Sequence, residues 1–216
     1  MKQLPSIEEL FNPTEYELIE EVEYEDLKSF LLNEISQKSF IIKLYGFFQI
    51  IAIIGLIAIF SFLGFGFHSE GNFKPELTMA AFALLFSVTL LIPLHELIHA
   101  AAFLVLGKKD INFGVQLKKF IFYTESNRQV LTRREMNTVA LAPFVVVLIG
   151  GMALFLLGSS TVTSLPWLIM VLTHFLFCGG DFAIVSFFSR YRHAEVYTFD
   201  DRELKRSYYF RKKNIF

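Results

Sequence analysis

One cysteine, Cys178, stands in 216 residues, so no disulfide can form within the chain and no Cys-x-x-Cys redox or zinc motif exists. Any metal site must therefore draw on histidines and carboxylates. A surplus of either charge is also missing. Twenty Lys and Arg against 21 Asp and Glu give a net charge of -1, which leaves nothing overall to attract nucleic acid. What is abundant is apolar: 54% of the residues are hydrophobic and 26 are Phe, which excludes disorder and a collagen-like chain.

The apolar residues are concentrated. A helix needs about 20 residues to cross a bilayer core, and four stretches reach that length, near Ile41 to Phe67, Met79 to Leu106, Thr138 to Gly158 and Pro166 to Ser189. The first follows a long polar stretch and lacks the short basic start and small-residue cleavage site of a signal peptide, so it reads as a retained span. Basic residues segregate around these spans: four in residues 1–43, one between the first two spans, seven between the second and third, none between the third and fourth, and eight after Ser189. By the positive-inside rule both termini and the loop from Gly107 to Asn137 are cytoplasmic. The expected localisation is a cell membrane, multi-pass, and the paired basic residues are explained by topology and anionic lipid.

The loop between the second and third spans contains Ile111 to Tyr123, whose β-branched and aromatic content predicts a strand or hairpin. Its edge could bind an extended peptide, or the hairpin could only cover helix ends. The first 43 residues hold ten acids against four lysines, and predict an amphipathic helix or two, a partner-binding arm, or a solvated acidic face. The expected organisation is an acidic cytoplasmic segment over residues 1–40, a transmembrane core over 41–189 and a basic cytoplasmic tail over 190–216. The expected fold class is an all-α polytopic membrane protein, with four transmembrane helices and a small cytoplasmic strand or hairpin between helices two and three.

The second apolar stretch contains His95-Glu96-Leu97-Ile98-His99. Residues four apart share a helix face, so both imidazoles can reach one ion, while Glu96 can reach a water beside it. With zinc there, the water's pKa falls to about 7 and Glu96 serves as general base and later as proton donor to the leaving amine. Ionisable groups at bilayer depth each cost at least about 2–3 kcal/mol, so three within five residues need a shared explanation. The alternative is a cluster of neutral histidines hydrogen-bonded to other helices, with Glu96 protonated or lining a proton path.

A catalytic zinc needs a third protein ligand. At about 1.5 Å per residue, the His95–His99 centre lies about 15 Å from the cytoplasmic end of its span and Asp181 about 12 Å from the end of its own. Asp181 is the sole acid of the fourth stretch and follows Gly179 and Gly180, which let helices approach closely. His174, about 10 Å farther along that helix, is expected to line the cavity, hold substrate or steady the transition state. Pro93 can kink the second span or free a carbonyl at the site, with helix packing an equal reading. Cys178 reads as a small apolar residue, and His68 and His193 as solvated.

His95 to His99 in an apolar helix, Leu141-Ala142-Pro143-Phe144 opening the next span and Gly180-Asp181 in the last together resemble a bacterial membrane family described as putative zincin peptidases, which is similar to the site-2 proteases. The resemblance covers roughly residues 90–205. It implies that His95, His99 and Asp181 bind Zn2+, that Glu96 activates water, and that the substrate is a membrane or membrane-proximal protein or peptide. The departure lies around Asp181, preceded here by two glycines and followed by Phe182, where the site-2 pattern has Asn and Pro upstream and Gly directly after. The expected function is an intramembrane zinc metalloprotease. The rival is a non-proteolytic membrane protein that retains the ion site, such as a metal or proton transporter or a regulatory partner. A transporter predicts a continuous polar path and repeated halves, which this sequence lacks.

Overall fold

The computed structural model describes residues 4–70 and 74–213. In chain order the elements are α1 (Ile7–Leu10), β1 (Tyr16–Glu23), α2 (Leu27–Ser36), α3 (Phe40–Glu70), α4 (Lys74–Thr89), α5 (Leu91–Val105), β2 (Ile111–Gln116), β3 (Ile121–Ser126), β4 (Leu131–Thr132), α6 (Arg133–Leu157), α7 (Thr161–Phe177), α8 (Gly179–Arg190), β5 (Val196–Asp201) and β6 (Arg206–Lys212). The chain divides into two compact units. One comprises Met1–Ile42, Glu96–Ala142 and Asp181–Phe216; the other comprises Lys43–His95 and Pro143–Gly180.

Among the described residues, all the strands lie in the first unit. They form an antiparallel four-stranded sheet, β1-β6-β5-β4, and the antiparallel hairpin β2-β3. This overturns the all-α fold class, although the hairpin falls where the loop predicts one. The acidic run is a strand rather than an amphipathic helix, because opposite charge waits for it across the sheet. Glu17 pairs in register with Arg211 and Glu23 with Arg206, and the two arginines form ion pairs with Glu17, Glu21 and Glu23. A register shift between Leu18 and Glu20 breaks the period-two alternation that identifies a strand in sequence.

Three successive aromatic residues of β6 pack on alternate faces of the sheet, and each face has its own cluster. Tyr208 and Phe210 join Leu10, Tyr16, Tyr197 and Phe199, while Tyr209 joins Val22, Val196, Phe187 and Phe188. Phe187 and Phe188 belong to α8, so the sheet anchors the end of the helix whose first turn carries Asp181.

The second unit is helical. Leu63, Ala80, Ala83 and Ile169 form one buried cluster, and the rings of Phe48, Phe144 and Phe175 lie within 5.1–5.4 Å of one another. Among the described residues two helices are singly long and apolar enough to cross a membrane: α3, over Phe40–Gly66, and α6. Two further pairs qualify only if each bent pair is one span: α4 with α5, bent by 50°, and α7 with α8, bent by 49°. In place of the four transmembrane helices expected, the described residues thus form two helices that qualify singly and two bent pairs.

Both breaks have local causes. The ring of Pro93 clashes with the carbonyl four residues earlier, that of Thr89, and offers no N–H to it, so α4 stops there. The backbone bonds resume on either side, from Leu90 to the Phe86 carbonyl and from Leu94 to the Leu90 carbonyl. At the other break Cys178 leaves helical geometry with ψ of 13°, and Gly179 and Gly180 open α8. A Cβ on Gly179 would lie 3.2 Å from the Tyr45 hydroxyl, which donates to the Leu176 carbonyl at the end of α7.

Candidate functional site

Helix α5 carries His95, Glu96 and His99, and both histidines are buried, at 8% exposure. Their spacing of four puts them one turn apart on the same face. In the first unit, His99 meets a residue 82 positions later: its Nε2 lies 3.2 Å from Oδ1 of Asp181. Asp181 occupies the first turn of α8, where the helix dipole favours a carboxylate.

The other nitrogen of His99 decides the proton inventory. Nδ1 lies 2.9 Å from the Val139 carbonyl oxygen on α6, and a carbonyl can only accept, so Nδ1 carries the proton. In a neutral imidazole Nε2 is then a lone pair. A lone pair facing a carboxylate at 3.2 Å is repulsive unless a cation, a proton or a metal ion, mediates between them. The backbone of α6 thus orients a side chain of α5 toward α8.

Glu96 points to the hairpin. Its Oε2 accepts a hydrogen bond from the Thr124 hydroxyl of β3 at 2.8 Å. The hairpin is fixed from below: Tyr123 lies so close to Gly114 on β2 that a Cβ there would be 2.0 Å from the ring. The Gln116 side chain donates to the Tyr24 carbonyl at 2.5 Å, and the Tyr24 hydroxyl donates to Glu125. Burial pushes the Glu125 carboxyl up, and burial together with the acid Asp200 pushes the Tyr24 hydroxyl up, which favours a phenol that donates and stays neutral.

Residues 88–195, half of the chain, match the family described as "putative zincin peptidase". The chain belongs to that family. The matched region holds His95, Glu96, His99, Asp181 and the whole hairpin, while β1, β6 and the strand residues of β5 lie outside it. Family membership supports a metallopeptidase and, through the zincin name, zinc dependence. No curated protein and no solved structure matches the chain.

The zincin match also spans α7, whose His174 is fully buried in the second unit. Its Nε2 lies 2.9 Å from Nδ1 of His95, and Cys178 one turn later lies 3.6 and 3.8 Å from its two nitrogens. His68 is exposed, and His193 is exposed beside Arg192. Thr124 and the Val139 carbonyl went unmarked in the sequence. A carbonyl has no sequence signature, and Thr124 has no fixed spacing from Glu96; the one signal was a predicted strand following the His-Glu-x-x-His helix.

Proposed function

We propose that this member of the zincin peptidase family is an intramembrane zinc metallopeptidase, with His95, His99 and Asp181 as ligands and Glu96 as general base. The observation that carries the reading is the approach of His99 Nε2 to Asp181 with the other nitrogen committed to a carbonyl. Two donors about 2.0 Å from a tetrahedral ion stand about 3.3 Å apart, close to the 3.2 Å between these atoms. Two imidazoles and a carboxylate suit zinc, and three protein ligands leave a fourth position open for chemistry.

When bound, zinc would supply Lewis acidity toward a peptide carbonyl and toward water. Glu96 would take a proton from the attacking water and deliver it to the departing amine. The Thr124 hydroxyl holds one oxygen of that carboxylate and so fixes its orientation for the proton transfer. The carbonyl of Val139 keeps His99 in the Nδ1–H form, which presents Nε2. The substrate is a membrane or membrane-proximal protein, because the proposed ligands and general base lie on helices that are, or pair into, stretches apolar enough to cross a membrane. The distribution of Lys and Arg supports cytoplasmic termini and a cytoplasmic hairpin.

The test is the metal content of detergent-purified protein together with cleavage of a model membrane peptide. Wild type and Glu96→Ala should each hold about one zinc per chain, and Asp181→Ala should lose it. Only wild type should cleave. A well-folded wild type without metal would sink the reading and return these residues to a proton-handling cluster.

A further inference from the structure

We infer that His174 is a positioning residue that sets the tautomer of His95; this rests on the reading of His95 as a metal ligand. Nδ1 of His95 and Nε2 of His174 lie 2.9 Å apart, inside a buried cluster on α5 and α7. At that distance one nitrogen carries the proton and the other offers its lone pair. If His174 were the donor, neutral His95 would carry its own proton on Nε2 and lose the lone pair a metal needs. With His174 as acceptor, His95 is the Nδ1–H form and Nε2 is available. The Val139 carbonyl does the same for His99, so both imidazoles of the motif are held through Nδ1, one by backbone and one by a side chain.

The alternative use of this cluster, a second ion held by His95, His174 and Cys178, is disfavoured by its geometry. The lone pairs of one imidazole diverge. A sulfur 3.6 Å from one ring nitrogen and 3.8 Å from the other therefore lies along neither. Cys178 instead donates its thiol to the His174 carbonyl at 3.3 Å, one turn back on the same chain segment. The thiol packs beside the ring and limits its rotation, while Nε2 is engaged by His95.

Zinc affinity, measured by competition with a chromophoric chelator on detergent-purified protein, tests the role. His174→Phe fills the space without an acceptor and should weaken zinc binding about 10–100-fold. His174→Gln puts an amide oxygen near the position of Nε2 and should recover most of that loss. Equal weakening in both variants would mean that His174 only packs, and unchanged affinity in His174→Phe would overturn the role outright. Cobalt substitution gives a second reading: a thiolate-to-cobalt charge-transfer band that vanishes in Cys178→Ala would make the cluster a ligand set and overturn positioning. The underlying reading fails separately, through wild-type zinc affinity in His99→Ala and Asp181→Ala; if those two lose zinc while His174→Phe keeps it, only the present inference falls.

Discussion

Thr124 and Glu96 form the contact on which proton transfer depends in the proposed mechanism. Removing the carboxylate's basicity by Glu96→Gln should leave zinc content unchanged and lower turnover by about 10²–10⁴-fold, read as initial cleavage rate against metal content. Thr124→Val removes a hydrogen bond to a charged group at nearly constant volume, and should cost on the order of tenfold in turnover with metal retained. A larger effect of Thr124→Val on zinc content than on rate would mean that the hydroxyl supports the metal site instead. At this scale much was legible. His95, Glu96 and His99 announce themselves by spacing, and Asp181 by being the sole acid in an apolar stretch, since burying charge without a partner is so costly. Thr124 was not legible, because strand and helix meet through tertiary packing that no local period encodes.

The hairpin β2-β3 carries Thr124, and its geometry hangs on one missing methyl. Gly114→Ala would drive a Cβ into the Tyr123 ring, so the strands must separate or the ring must leave its place against Tyr24. The expected outcome is a lowered melting temperature together with a turnover loss at least as large as that of Thr124→Val; full activity would show that the hairpin does not position the carboxylate. The hairpin was legible from its β-branched and aromatic run. The helix breaks were half legible: Pro93 was visible as a kink or a freed carbonyl but not as a 50° turn that ends one helix and starts another, and Gly179-Gly180 was read only as room for close helix approach. The strands β1, β5 and β6 were hidden by charge. Acids at one end and bases at the other read as solvated segments until the register Glu17 to Arg211 brings them side by side.

Across the molecule as a whole, the four-stranded sheet also carries a titrating group. Burial pushes the Asp200 carboxyl up to about 7, against a hydrogen bond from Ser207 at 2.6 Å and with the nearby acid Glu125 adding to the rise. The unfolded chain releases this proton near the ordinary value of 3.8, so between about 4 and 7 the folded state binds more protons and stability falls as pH rises. Wild type should therefore melt higher at pH 5 than at pH 8, and Asp200→Asn should flatten that difference by roughly 5 °C. An unchanged pH profile in Asp200→Asn would remove Asp200 as the cause. The pairing of β1 with β6 also sets an order of events in synthesis. Tyr16 faces Lys212, and at about 5–20 residues per second the ribosome needs roughly 10–40 s to make that partner. For this interval β1 is an open edge whose glutamates repel other strands, and Phe187 and Phe188 have no finished sheet to grip. Asp181 then acquires its final anchorage only after β6 has been made, so under the proposed function the candidate site is completed late in synthesis.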